Sequence, residues 1–379
     1  MFLHVCLGAV RLWRMACLAL CGFSLCLWGG AAAFAAPSVE EMAGQMLLVG
    51  FKGQEPEECG AILKDIQARH LGGVILFKRD ARNAGLPRNI RDAEQVKRLT
   101  VALRGASAGH PLFVAVDQEG GKVARFQPGD GFPAFPSAEE LGRGTPDATR
   151  LTAFGMGRML RELGVNLNFA PVLDVNVYPA SPAIGRIGRS FSADPQAVAA
   201  HGAAFADGLN DAGIIAVFKH FPGHGSARAD SHKGVTDISA TWGERELSPY
   251  RSALGRPGRR MVMTGHLFHA GLDPSFPATL SPSVISGLLR GRLGYDGVVV
   301  TDDLQMDAVA AEYTLEEVVI RAIGAGADIL LFGNNLEYDP AIVAKVQAII
   351  VRAVENGTIS RARLEASWRR IMKLKRQMP

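Results

Sequence analysis

The densest group of chemically active side chains lies near the middle of the chain. It opens with Lys-His-Phe-Pro-Gly-His-Gly at 219–225 and closes with Asp230 and His232. Proline and glycine exclude a regular helix, so a strand end running into a shaped loop is expected here. Lys219 and His220 can donate hydrogen bonds to hydroxyl groups. Asp230 lies two residues before His232, so its carboxylate can bond one imidazole nitrogen while the other faces a substrate, as general acid–base catalysis requires.

A second candidate group is the pair of aspartates in Val-Val-Val-Thr-Asp-Asp-Leu at 298–304. A carboxylate at the end of a buried strand is held rigidly, which a nucleophile requires. Because adjacent side chains usually point apart, one carboxylate is expected to face the substrate. Asp302 is therefore assigned to the chemistry, and Asp303 to support or helix capping.

Two further segments carry candidate binding residues. Asp117 ends an apolar run and opens Asp-Gln-Glu-Gly-Gly-Lys-Val-Ala-Arg at 117–125, where the glycines let the backbone approach a ligand. Nothing in this segment resembles a phosphate-binding loop. Arg189, in Ile-Gly-Arg-Ser-Phe at 187–191, can donate hydrogen bonds to a hydroxyl or an acyl oxygen, or form a surface salt bridge.

Three histidines within thirteen residues also raise the possibility of a metal site. His220, His224 and His232 are of a type that binds zinc. Proline and glycine interrupt the spacing between the first two, so their rings are not held on one helix face. No metal and no cofactor are predicted, and the metal site stays a minor alternative.

Positioning these groups requires a regular set of strands. The chain repeats a unit in which a short apolar run is followed by a polar residue or glycine and then by a helix-like stretch. Eight such runs occupy 46–51, 73–77, 112–116, 167–173, 214–218, 261–264, 298–301 and 329–332. Amphipathic stretches include 146–163, 196–212, 314–324 and 360–375. Alternating strands and helices predict a parallel sheet, and eight units predict an α/β fold, a single (β/α)8 TIM-type barrel; a doubly wound open sheet is the alternative.

The barrel prediction places the polar residues at one mouth, because active sites of such barrels lie at the C-terminal ends of the strands. The residues expected there are Lys78, Asp117, Asp174, Lys219, His220, His266, Asp302, Asp303 and Asn334. One catalytic domain is expected over 36–379, since no low-complexity linker interrupts it.

The first 35 residues have the composition of an export signal. Arg11 and Arg14 precede an apolar stretch at 15–28, and a small-x-small site predicts cleavage before Ala36. A cleaved signal peptide over 1–35 is the expectation, with an uncleaved anchor as the alternative. The predicted location is therefore periplasmic or extracellular.

Charge and cysteine content restrict the possible partners. Removal of the signal lowers the formal net charge from +4 to +2, because that segment holds two arginines and no acidic residue. A nearly neutral chain gives no electrostatic reason to bind nucleic acid or acidic membranes. Cys59 would remain as a lone cysteine, so no intrachain disulfide is expected. The chain is expected to be a monomer.

With these motifs in hand, the chain resembles the bacterial β-N-acetylglucosaminidases of glycoside hydrolase family 3. The resemblance runs from about position 42 to the C-terminus, and 219–225 with Asp230 and His232 carries it most specifically. It implies a retaining mechanism with Asp302 as nucleophile and His232 as general acid–base, oriented by Asp230. It also implies a set of sugar-binding residues: Asp117, Arg125, Arg189, Lys219 and His220.

The expected function is hydrolysis of terminal non-reducing β-linked N-acetylglucosamine from a small carbohydrate, with peptidoglycan fragments as the first choice. The natural aglycone stays open among anhydro-muramic acid, a muropeptide, chitobiose and a glycan. Two alternatives are kept, a β-glucosidase or β-xylosidase of the same family and a catalytically silent sugar-binding protein. Lys122, where the family usually has arginine, leaves the fine substrate contacts open.

Overall fold

Eight short parallel strands form the centre of the protein. The computed structural model describes residues 36–83, 85–107, 109–229 and 234–379, and Ser38–Pro379 forms one compact unit. The predicted signal peptide over 1–35 lies outside the described residues. The strands are β1 (Leu47–Gly50), β2 (Gly73–Ile75), β3 (Phe113–Val116), β4 (Leu167–Asn168), β5 (Ile215–Phe221), β6 (Arg260–Thr264), β7 (Val298–Thr301) and β8 (Leu330–Phe332).

The strand order shows that the sheet closes on itself. Hydrogen bonding runs β7-β6-β5-β4-β3-β2-β1-β8, and every neighbouring pair is parallel. A parallel bridge between Val300 and Ile329 joins β7 to β8, and the Thr301 amide donates to the Ile329 carbonyl at 3.0 Å. The predicted (β/α)8 barrel is therefore confirmed, and the open-sheet alternative is wrong.

Helices surround the barrel and connect its strands. They are α1 (Val39–Gln45), α2 (Gly60–Ala68), α3 (Ala93–Gly105), α4 (Ala138–Gly142), α5 (Pro146–Glu162), α6 (Pro195–Asp211), α7 (Ser248–Leu254), α8 (Asp307–Ala310), α9 (Leu315–Ala325), α10 (Ile342–Glu355) and α11 (Arg361–Lys375), with a π-helix at Ser283–Arg292. The four predicted amphipathic stretches correspond to α5, α6, α9 and α11. Within the described residues, none of the helices is long and apolar enough to cross a membrane.

Two strands differ in length from the predicted runs. The run at 167–173 gives only the two-residue β4, because Pro171 has no amide hydrogen with which to continue the ladder. In contrast, β5 continues beyond the predicted 218 to Phe221, since the Lys219 carbonyl accepts from the Leu173 amide at 2.7 Å. Lys219 and His220 are therefore strand residues, which fixes their direction more firmly than a loop would.

The seam between β7 and β8 is reinforced by a buried aspartate at the N-terminal end of β8. One carboxylate oxygen of Asp328 accepts from the Val299 amide at 3.0 Å and from Arg290 Nη2 at 2.6 Å. The other oxygen accepts from Ser367 Oγ at 2.7 Å. Asp328 thus connects β7, the π-helix and α11 at the face opposite the strand ends that carry the predicted site.

We expect Asp328→Ala to destabilise the protein by about 3–5 kcal/mol, because removal of one partner leaves buried charges and an amide uncompensated. Urea unfolding at neutral pH measures the change. The matched control is Asp296→Ala. The Asp296 carboxylate accepts a hydrogen bond from Arg370 at 2.9 Å, but its side chain is 82% exposed. Exposed ion pairs contribute below about 1 kcal/mol. Equal losses in the two variants would contradict this role for Asp328.

Candidate active site

A cavity of about 480 Å³ opens at the C-terminal ends of the strands. Its volume lies within the usual range for small-ligand sites. An apolar wall is formed by Ile75, Phe77, Phe169, Met263, Met306, Leu331 and Leu336. The polar lining includes Lys78, Arg79, Asp117, Arg125, Gln127, Arg189, Lys219, His220, Asp302, Asp303 and Asn335. All five predicted sugar-binding residues and the predicted nucleophile Asp302 therefore line one cavity.

A cluster of buried and half-buried charged side chains forms one side of the cavity. The Lys219 ammonium lies 2.9 Å from Asp117 Oδ1 and 2.7 Å from Glu119 Oε1. Arg189 donates two hydrogen bonds to Glu119, at 2.9 and 2.7 Å, and Arg125 donates to Asp117 at 3.1 Å. Such bidentate guanidinium–carboxylate pairs fix geometry as well as charge. We call Asp117, Glu119, Arg125, Arg189 and Lys219 the charge cluster.

The electrostatics of the charge cluster keep Asp117, Glu119 and Lys219 ionised. Burial alone would raise the pKa of Glu119, but Arg189 and Lys219 outweigh it and lower that pKa to about 2. Burial likewise opposes ionisation of Asp117, and Lys219 and Arg125 still hold its pKa below the ordinary value. For Lys219, burial acts to lower the pKa, whereas Asp117 and Glu119 raise it. These groups are therefore fixed charges at neutral pH and not proton-transfer groups.

A short hairpin over 118–124 places the two carboxylates. The side chain of Gln118 is buried and accepts hydrogen bonds from the amides of Arg125, at 2.9 Å, and Phe126, at 3.0 Å. The Asn168 side chain accepts from the Gln118 amide at 3.0 Å, which ties the hairpin to β4. Gly120 has a φ of +100°, and a Cβ there would lie 2.1 Å from a neighbouring backbone carbonyl oxygen. Only glycine allows this close approach.

His220 contacts the charge cluster through Arg189 and is itself held by Asp174. Its Nδ1 lies 2.7 Å from Asp174 Oδ2 and its Nε2 lies 3.2 Å from Arg189 Nη2. A guanidinium can only donate, so Nε2 accepts and the remaining ring hydrogen on Nδ1 points to Asp174. Both ring nitrogens therefore have protein partners. In this geometry His220 supports Arg189 and does not offer a ring N–H to a hydroxyl group.

The two aspartates at the end of β7 have different surroundings. The Asp302 amide donates to the Thr264 carbonyl at 3.1 Å, and Asp302 Oδ1 accepts from the Asp303 amide at 2.8 Å. Asp303 turns to β8, where its carboxylate accepts from the amides of Gly333, at 2.8 Å, and Gln305, at 3.1 Å. Asp303 thus supports the strand ends, as expected, but it does not cap α8.

Comparison with known proteins shows the family to which the chain belongs. The sequence profile described as the glycosyl hydrolase family 3 N terminal domain matches residues 38–374. The chain belongs to glycoside hydrolase family 3. A beta-hexosaminidase A of Pseudoalteromonas piscicida is 32% identical over 381 residues, which cover 90% of this chain and 62% of that protein. This family 3 chain therefore spans less than two thirds of that relative.

Two solved structures are similar to this family 3 barrel. A family 3 beta-N-acetylglucosaminidase from Paenibacillus sp. str. FPU-7 superposes with a TM-score of 0.82 at 36% identity, covering 90% of this chain and 63% of that one. A beta-N-acetylhexosaminidase from Beutenbergia cavernae DSM 12333 gives 0.79 at 33% identity, covering 90% and 99%. The whole fold described above is thus shared with glycoside hydrolases of known structure.

One expectation about the mouth of this family 3 barrel is wrong. Three polar residues at strand ends do not face the cavity. Asp174 is buried beneath His220, His266 Nε2 contacts the Asp303 carbonyl at 2.8 Å, and the Asn334 side chain donates to the Gly50 carbonyl at 3.1 Å. Strand ends leave backbone groups that need partners, and these side chains supply them.

Some predicted residues lie outside the described part of the chain, namely Asp230 and His232. The metal alternative also involves His232. Among the described residues, no group of three or more histidines, cysteines or acids is placed to hold a metal ion. Sequence reasoning missed Glu119, although it stands two positions after Asp117 in the same motif. That spacing was the available signal, since side chains two positions apart in an extended segment point to the same side.

Proposed function

We propose that this family 3 domain is a retaining, exo-acting β-N-acetylglucosaminidase that removes terminal non-reducing β-linked N-acetylglucosamine. The proposal is carried by the position of Asp302, which lines the same cavity as four members of the charge cluster: Asp117, Arg125, Arg189 and Lys219. Fixed charges suit the binding of sugar hydroxyls, and a rigid carboxylate beside them suits attack on the anomeric carbon. Relatives named beta-hexosaminidase support the same sugar specificity.

In the proposed mechanism the Asp302 carboxylate attacks the anomeric carbon while the glycosidic C–O bond breaks. The His232 imidazolium, oriented by Asp230, gives its proton to the departing oxygen. Water then attacks the glycosyl-enzyme, His232 takes the proton from that water, and Asp302 is released as a carboxylate with retained configuration at the sugar. A histidine acid places no second negative charge beside the nucleophile, unlike the usual pair of carboxylates.

The charge cluster has a defined part in this mechanism. Lys219 has two carboxylate partners, so one of its three N–H groups remains for a ligand oxygen. Asp117 is partly accessible from the cavity and accepts hydrogen bonds. Because both groups are already held by Glu119 and Arg125, they do not have to reorganise when the sugar binds.

The biological setting is a second part of the proposal. We propose that the enzyme acts on peptidoglycan fragments after export to the periplasm or the outside of the cell. The basis is the signal-like composition of 1–35 and the resemblance to cell-wall-processing enzymes of the family. A cavity of about 480 Å³ suits the end of a short chain better than the middle of a polymer.

Assays on matched substrates test the proposed activity. We expect nitrophenyl β-N-acetylglucosaminide to be hydrolysed with a kcat/KM at least about 100-fold above that of the β-glucoside or β-xyloside, because a site built for the acetamido group discriminates against its loss. Proton NMR should show β-N-acetylglucosamine as the first product. Faster hydrolysis of the glucoside would reverse the assignment, and an absence of turnover would favour a sugar-binding protein. Parallel assays on chitobiose and muropeptides identify the aglycone.

A further inference from the structure

A buried glutamate outside the cavity lies against the loop that follows β5. We call residues 222–226 the Pro-Gly loop. The Gly225 amide donates to Glu246 Oε2 at 3.2 Å, and the Glu246 side chain is buried. Gly223 has a φ of +129°, and a Cβ there would lie 2.8 Å from Glu246 Cβ and 3.0 Å from Oε2. The loop therefore packs directly on this carboxyl group, which requires glycine at 223.

The other side of the loop is held by a second buried carboxylate. Asp174 Oδ1 accepts from the amides of His220, at 3.1 Å, and His224, at 2.8 Å. A Cβ on Gly225 would lie 1.7 Å from the Val175 carbonyl oxygen, so the loop also presses against the chain after β4. Asp174 and Glu246 thus fix successive amides of one short segment from two sides.

Glu246 is the member of this pair whose charge is most sensitive to pH. Burial raises its pKa to about 7, against the opposing hydrogen bonds from Ser226 and Gly225, and the negative charge of Asp174 acts in the same direction as burial. The other titratable groups in this region are Tyr250 on α7 and the imidazoles of His220 and His224. By contrast, burial and His220 lower the pKa of His224 to about 4, so it adds no positive charge at neutral pH.

We propose that Glu246 is a positioning residue for proton transfer: it holds the Pro-Gly loop in place, and the loop determines where the chain towards Asp230 and His232 leaves β5. This inference rests on the proposed function, since it assumes that those two residues carry the proton. Glu246 itself is not among the residues that line the cavity. Its effect is therefore expected on the step that needs an acid.

Leaving-group dependence tests the inference. We expect Glu246→Ala to lower kcat/KM for chitobiose, whose leaving group needs a proton, by at least about 30-fold. For the 2,4-dinitrophenyl N-acetylglucosaminide, whose leaving group needs little proton donation, we expect a loss below about 3-fold. Glu246→Gln keeps the acceptor oxygen and should recover most of the loss. Glu246 lies on a 3-10 helix at Glu244–Leu247. The control is Glu244→Gln on this helix, because the Glu244 carboxylate is exposed and accepts hydrogen bonds from Arg251 and Arg292.

Two results would overturn the inference: an equal loss on both substrates, or no loss on chitobiose. Both differ from failure of the proposed function, which would appear in the wild-type enzyme as faster hydrolysis of the β-glucoside or as an absence of turnover. A melting series from pH 4.5 to 8 provides a second reading that does not depend on activity. The native protein retains the Glu246 proton up to about pH 7, whereas the unfolded chain loses it near 4.5. The stabilisation by Glu246 is therefore complete below pH 4.5 and lost as the pH rises through 7.

We expect the melting temperature of wild type, relative to Glu246→Gln, to fall across that window, because the amide does not titrate. Glu244→Gln should keep the wild-type pH dependence. If Glu246→Gln also kept the wild-type pH dependence of the melting temperature, the Glu246 carboxyl would not change charge in the folded protein near neutral pH. That result would contradict the inference.

Discussion

Substitution of Asp302 by alanine is expected to reduce kcat for nitrophenyl β-N-acetylglucosaminide by about 10⁴-fold or more, because removal of a nucleophile eliminates the covalent route. The substitution leaves the charge cluster intact, so KM should change much less than kcat. The fold should also survive. The hydrogen bond from the backbone amide of residue 302 to the Thr264 carbonyl does not involve the side chain, so it should persist in the variant.

Asp307→Ala is the matched control for this experiment. It removes an exposed carboxylate only five residues further along the chain and should keep wild-type turnover. Trapping with a fluorinated N-acetylglucosaminyl donor gives independent evidence, since mass spectrometry of the digested enzyme should find the sugar on Asp302. A label on any other residue, or wild-type turnover by Asp302→Ala, would remove Asp302 from the nucleophile role.

The barrel could be predicted from sequence because each strand is buried on both faces. A strand buried in this way appears as a continuous apolar run, and eight such runs separated by amphipathic stretches leave few architectures. The ends of those runs also located Asp117, Lys219 and Asp302, all of which line the cavity. What made these residues predictable was their position directly after a strand, where the chain direction is fixed.

The supporting residues could not be predicted in the same way. Asp174 also follows an apolar run, yet it lies beneath His220 and is fully buried. Glu246 stands on a short 3-10 helix with no motif around it, and its role depends on a loop some twenty residues earlier. Sequence gives the order of residues along the chain, but the direction of a side chain at the barrel mouth depends on which neighbouring backbone groups need partners.

Glu119 shows this limit most clearly, because its importance follows entirely from its contacts. It is the only carboxylate that contacts both Arg189 and Lys219 within the charge cluster. We expect Glu119→Ala to destabilise the protein by about 3–5 kcal/mol, since loss of one partner leaves buried cations uncompensated. We also expect kcat/KM to fall on the order of 100-fold, because small displacements of binding groups have effects of that size. Urea unfolding and steady-state kinetics measure the two changes.

Glu162→Ala is the control for a lost carboxylate, because Glu162 pairs with Arg158 at 3.5 Å on an exposed helix face. Glu162→Ala should lower the free energy of unfolding by less than about 1 kcal/mol. The pH dependence then identifies the charge as the cause. The pKa of Glu119 is about 2 in the folded protein and 4.5 when unperturbed, so its stabilisation is present above pH 4.5 and is lost as the pH falls through 2. The difference in unfolding free energy between wild type and Glu119→Ala should therefore shrink on acidification. A difference that stayed constant from pH 6 to pH 3 would mean that lost packing, and not the carboxylate charge, holds Arg189 and Lys219 in place.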